Sequence, residues 1–266
     1  MLKNLKIERP IAFVDVETTG VKPHLDRIVE LSILKIEPKG NQEYKNHRIN
    51  PEVPIPSEAT AIHGISYTDV SAEPTFRQYA KSVRDFIEGC DISGFNIITF
   101  DLPFLEAEFE RAGVDCNLRN RQIVDSMVIF HQKVSRGEMA TRNLKAAYQK
   151  YCGKELENAH GAKNDVTASA EVLDGQIVAH TDLPSDVSGL CAFCNKVREN
   201  FVDLEGKFVW TEDEVVFNFG KHLGRPLKEI AQEYPDYLQW ILGSDFRLDV
   251  NDIVTNALDG EFPQMP

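Results

Sequence analysis

The chain has 266 residues, 29 basic and 42 acidic side chains, and a formal net charge of −13. A length in this range accommodates about two domains with a sizeable core, and the 42% hydrophobic and 27% charged residues exclude wholesale disorder. The acidity excludes a protein held on nucleic acid by bulk charge, though not an enzyme that grips a short strand locally. No apolar run approaches a membrane span and MLKNLKIERP has no apolar signal core, so neither membrane insertion nor secretion is expected. Five scattered cysteines read as reduced thiols of a cytoplasmic protein.

Taken in order, residues 11–18 (IAFVDVET), 27–36 and 43–49 read as three strands. The proline-rich residues 50–60 are expected to form a loop. Residues 75–88 carry Phe76, Tyr79, Val83 and Phe86 at helical spacing, with Gly89 as the stop. A short strand at 92–95, a helix at 101–112, a strand at 123–124 and helices near 126–134, 143–152 and 163–179 follow. Three strands and then alternation predict an α/β domain with a mixed sheet, antiparallel at its start. This first domain is expected over residues 1–182. Residues 183–210 read as a linker containing a CxxC, and 211–266 as a small α+β module. The sole CxxC, Cys191 and Cys194, lacks a second cysteine pair, so idle thiols are favoured over structural zinc.

Three segments carry acids suited to chemistry. Asp15 and Glu17 lie two apart on a strand, which puts both carboxylates on one face. They repel unless a cation lies between them. Asp101 opens a helix with Pro103 in its first turn, and taken alone it reads best as a helix cap. Asp165 begins the helix whose buried stripe is Val166, Ala170, Leu173 and Ile177, where the helix dipole favours a negative charge. His160 precedes it on a loop.

Together VDVETTG, NIITFDLPFL and HGAKND resemble, in order, the three exonuclease motifs of the DEDDh (DnaQ-like) family, which includes proofreading ε subunits of DNA polymerase III, oligoribonuclease and ribonuclease T. IHGIS and IVDSM are similar to its secondary motifs. The resemblance implies a ribonuclease H-like mixed sheet flanked by helices and metal-dependent 3′–5′ exonuclease activity. Asp15, Glu17, Asp101, His160 and Asp165 would be the catalytic set. The four acids would hold two Mg²⁺ or Mn²⁺ ions, and His160 would act as general base. Thr18 and Thr19 would bind the terminal nucleotide through backbone N–H groups, and His63 and Phe100 would stack on bases. Lys133, Arg136, Arg142 and Lys145, in the most basic stretch, either track phosphates or form a solvated face. The implied partners are 3′ ends of single-stranded DNA, together with a DNA polymerase or repair proteins, and no membrane. An exoribonuclease acting on short RNA is the alternative within the class. A non-catalytic polymerase- or DNA-associated subunit is the alternative outside it. Residues 215–243 resemble the C-terminal module of exonuclease X-like nucleases, with Lys221 and Arg225 on its glycine-rich turn.

Overall fold

The computed structural model describes residues 2–118, 120–156, 162–212, 214–244 and 246–265. The chain divides into two compact units, Met1–Asn195 and Lys196–Pro266.

The first unit is built on a five-stranded sheet. Its strands are β1 (Ile11–Thr18), β2 (Ile28–Ile36), β3 (Gln42–Arg48), β4 (Asp91–Gly94) and β5 (Ile123–Asp125), in the spatial order β3-β2-β1-β4-β5. β1 and β3 run antiparallel to β2, whereas β1, β4 and β5 are mutually parallel. β1 is central, so both of its faces are covered, and it begins as the continuous apolar run expected of such a strand. Ala12, Val14 and Val16 face one core, and Ile11 and Phe13 the other.

Short helices α1 (Ser57–His63) and α2 (Tyr67–Val70) lead to α3 (Phe76–Phe86), and α4 (Asp101–Ala112) follows β4. α3 and α4 close the Val14/Val16 face; Phe76 and Phe109 meet edge to face with ring centroids 5.2 Å apart. α5 (Ser126–Lys133) and α6 (Leu144–Cys152) precede the long α7 (Ala162–Ala179). α7 lies on the opposite face, burying Val166, Ala170 and Leu173 beside Phe13, Leu34 and Ile36.

Two expectations are corrected. Residues 50–60 are not wholly loop, because α1 begins at Ser57. The prolines all precede it, and Pro56 occupies the extended flanking position where its ring obstructs no helical hydrogen bond. Residues 183–210 include a helix, α8 (Val187–Val197), whose Val187, Leu190 and Cys194 pack with Leu183 into the α7-side core. Their spacing of three and four is a helical stripe hidden in a stretch whose composition reads as a break.

The second unit contains the hairpin β6 (Phe208–Thr211) and β7 (Glu214–Phe217), a 3₁₀ turn at Gly220–His222, and helices α9 (Leu227–Glu233), α10 (Pro235–Leu242) and α11 (Leu248–Leu258). Its core joins Phe208 and Phe217 to Leu227, Ile230, Leu238, Ile241, Val250 and Val254. Among the described residues, no helix is long and apolar enough to cross a membrane.

Candidate active site

The site forms where the sheet opens. β1 pairs with β4 only through Ile11, Ala12 and Phe13, and beyond Phe13 the two parallel strands part. The Val16 N–H therefore faces a gap rather than a neighbouring strand, and the Asp101 carboxylate accepts it at 2.9 Å. This overturns the capping role expected of Asp101. Phe100 holds the flanking position of α4 without a side-chain cap, while Asp101 is the first helical residue and reaches across to β1.

Strand alternation places Asp15 and Glu17 on the α7 face. There Asp165, in the first turn of α7, joins them: one carboxylate oxygen from each of the three lies within 4.8 Å of the others. It is the one group of three or more potential metal ligands among the described residues. A bulge between Glu17 and Thr18 disturbs the β1–β2 register immediately after this pair, a common device for re-aiming side chains beside a site.

The electrostatics follow from the crowding. Burial, then Glu17, Asp165 and Glu30, hold the Asp15 carboxyl well above the ordinary aspartate range. Burial and Asp15 do the same to Asp101. Glu17 is pushed up to about 8 by burial and by Asp165, Glu30 and Asp101, with Arg48 opposing. Carboxyls that bind protons this tightly are held together at a cost that a hard divalent cation removes, and an all-oxygen donor set suits Mg²⁺ or Mn²⁺. The residues present thus fit the metal that the sequence implies.

A cleft of about 320 Å³ opens onto these acids, bounded by Phe95, Asn96 and Phe100 from the β4–α4 connection and by Asn143 and Lys145 at the start of α6. Phe100 is half-buried and tilted against Phe104, with centroids 5.2 Å apart, so it serves both core and cleft. His63 does not line the cleft. It is buried, and its Nδ1 accepts the Ile65 N–H at 3.0 Å, whereas its neighbour Ile62 is exposed and reaches the cleft. Thr18 and Thr19 are buried. The Thr18 hydroxyl donates to Gly20 O, and the Thr19 N–H expected to meet a nucleotide is given to Arg27 O at 2.9 Å. At Gly20 a Cβ would lie about 2.5 Å from the Asp26 carboxylate, so a larger residue there would push that side chain aside.

Of the four basic residues singled out, Lys145 alone lines the cleft. Lys133 pairs with Asp182, and the Arg142 guanidinium donates to the carbonyls of His131 and Val134. Arg136 is exposed. Cys194 is buried and Cys191 half-buried on α8. In the second unit Arg225 is bound to Glu229 and Glu233, and Lys221 lies over the Tyr237 ring. His160 lies outside the described residues.

Two participants had no role assigned from the sequence, although Asp125 lies within the IVDSM segment. Asp125 is fully buried and accepts the N–H groups of Asn96, Ile98 and Met127, which fixes the connection that presents Phe95, Asn96 and Phe100. Glu30 stands directly opposite Glu17 across the β1–β2 ladder. An acid within the apolar-looking RIVELSIL offered only its unusual place in a buried strand as a signal.

A mixed sheet with this strand arrangement, flanked by helices and presenting carboxylates where β1 and β4 separate, defines a ribonuclease H-like nuclease architecture. Comparison with solved structures agrees. The chain is similar to Escherichia coli exonuclease I in complex with a dT13 oligonucleotide, with TM-score 0.55, 20% identity, and coverage of 63% of this chain and 40% of that one. It is also similar to the zinc-bound form of that enzyme's complex with single-stranded DNA, with TM-score 0.57, 20% identity, and coverage of 65% and 41%. Among curated proteins, the 3′–5′ exonuclease DinG of Staphylococcus aureus (strain USA300) is 27% identical over 177 residues, 66% of this chain and 19% of that relative. The chain thus spans under a fifth of that relative's length. Residues 12–173 match the family model described as Exonuclease (RNase_T), and residues 217–244 match that described as Exodeoxyribonuclease X-like C-terminal. The chain belongs to the exonuclease family.

Proposed function

We propose that the chain is a metal-dependent 3′–5′ exonuclease that removes nucleoside 5′-monophosphates from single-stranded DNA. The observation that carries this reading is the convergence of Asp15, Glu17 and Asp165 within 4.8 Å at the carboxyl end of β1, with Asp101 beside them. A scaffold subunit has no need of acids forced together at the expense of their ionisation. The DNA preference rests on the fold likeness to exonuclease I, whose structures hold dT13 and single-stranded DNA.

On this reading Asp15, Glu17, Asp101 and Asp165 would hold two divalent ions. Bound there, the ions supply charge compensation for the scissile phosphate and acidify water. His160 would take the proton from the attacking water, a task suited to an imidazole, whose unperturbed pKa is about 6.5. Phe100 offers a ring to a base near the 3′ end, and Lys145 offers an ammonium to the strand's phosphates.

The test uses 5′-labelled single-stranded DNA and RNA of equal sequence with Mg²⁺, Mn²⁺ or EDTA, alongside Asp15→Asn. Stepwise shortening from the 3′ end, abolished by EDTA and by the substitution, supports the proposal. A faster rate on RNA replaces DNA with short RNA as the substrate. No shortening of either strand in either metal overturns the enzymatic reading in favour of a non-catalytic subunit.

A further inference from the structure

Glu30 is 3% exposed, yet it carries no apolar role. Its Oε1 receives the Arg48 Nε–H at 2.7 Å and the Asn46 amide at 3.0 Å. Asn46 in turn accepts the Ser32 hydroxyl at 2.9 Å. Residues on one face of β2 and β3 thus fix this carboxylate in place. The register sets it opposite Glu17, and directly opposed side chains on one face of an antiparallel pair stand about 5 Å apart at Cβ. Like charges at that separation destabilise a ladder, so an ordinary sheet has no reason to hold an acid there. The Arg48 side chain is 41% exposed and approaches from the strand edge.

We infer that Glu30 and Arg48 form a positioning pair that sets the charge of the metal site: Glu30 adds a fixed negative charge behind Glu17, and Arg48 limits it. This rests on the metal-dependent reading above. A pair serving only to join β2 to β3 would act on stability and leave cation affinity alone.

The full chain is titrated with Mn²⁺ by calorimetry, without nucleic acid, and its thermal unfolding is followed in EDTA. Glu30→Gln, Arg48→Gln and, as reference, Asp15→Asn are compared with the unaltered protein. Glu30→Gln is expected to weaken Mn²⁺ binding about 10- to 100-fold, the range seen when groups supporting metal ligands are removed, without lowering the melting temperature in EDTA. Arg48→Gln is expected to tighten Mn²⁺ several-fold and to lower the melting temperature in EDTA. It is a change at a half-exposed side chain and keeps the test open should Glu30→Gln misfold. If both variants melt earlier and bind Mn²⁺ as the unaltered protein does, while Asp15→Asn loses binding, the pair is structural and this inference fails with the metal reading intact. If the unaltered protein binds no Mn²⁺, the metal reading fails and takes this inference with it.

Discussion

The Asp101 carboxylate accepts the backbone N–H of Val16, so an acid on α4 completes the hydrogen bonding of β1 where its parallel neighbour has turned away. One side chain therefore links strand to helix and places a carboxylate beside Asp15. Structure and chemistry separate on substitution. Asp101→Asn keeps an oxygen that can accept the Val16 N–H but removes the charge. Its melting temperature should match or exceed that of the unaltered chain in EDTA, and its exonuclease rate should fall about 10- to 100-fold. Asp101→Ala leaves a buried N–H without a partner and should cost a further 1–3 kcal/mol, roughly, of stability. Denaturant unfolding and single-turnover cleavage of the two variants check both parts.

The crowding of carboxyls predicts an unusual pH response in the absence of metal. Glu17 has a folded-state pKa of about 8 against an ordinary 4.5. Below 4.5 it is protonated in both states and contributes nothing. As pH rises from there toward 8 the unfolded chain releases this proton while the folded chain retains it, so stability falls across that window. In EDTA, Glu17→Gln should show a shallower decline in melting temperature between pH 5 and pH 8 than the unaltered protein. Parallel slopes for the two proteins would contradict this account. Mg²⁺ should raise the melting temperature more at pH 8 than at pH 6, because the cation then displaces fewer protons.

Gly94 ends β4 where the strands separate, and a Cβ there would lie 2.9 Å from Val14 O and 3.0 Å from the Ile97 Cβ. Backbone cannot yield as a flexible side chain does. Gly94→Ala should destabilise the first unit by about 1–3 kcal/mol and lower activity by shifting the connection that carries Phe95, Asn96 and Asp101. Unfolding by urea, with the cleavage rate measured well below the transition, distinguishes the two effects.

Glu108 is 1% exposed and is held by Arg27 at 2.7 Å and by Arg111 at 3.2 Å. Arg27→Met removes the nearer guanidinium and leaves the buried carboxylate to Arg111 alone, with an expected loss of about 1–3 kcal/mol. Glu108→Gln should cost less, since the guanidinium groups it leaves are both partly exposed to water and Arg27 keeps Glu52. The order of the two melting temperatures is the check.

What could be read from the sequence follows the physics of each signal. β1 announces itself through β-branched and aromatic residues, and period-two geometry alone puts Asp15 beside Glu17. The buried stripe of α7 was likewise visible in Val166, Ala170 and Leu173. Glu30 was not visible, because it becomes meaningful only once the antiparallel register sets it against Glu17. Local rules alone made Asp101 a cap: its acceptor role exists only because β1 and β4 part and bring Val16 to a residue 85 positions away in the chain. Proline content hid α1, and a polar, turn-rich start hid α8, since composition averages over boundaries that caps define to a single residue. The uses of Thr19 and His63 depend on partners at Arg27 and Ile65. Residue type cannot say whether a donor or acceptor is already engaged.

The early parting of β1 and β4 also bears on how this protein can be improved. Each further rung of parallel ladder would add backbone hydrogen bonds and rigidity, and a search for thermostable variants would favour lengthening that pairing. The next rungs would claim the Val16 N–H, expel the Asp101 carboxylate and narrow the cleft that opens onto the acids. Selection for stability alone in this region should therefore yield sturdier proteins with an impaired site, and gains in robustness are best sought in the second unit.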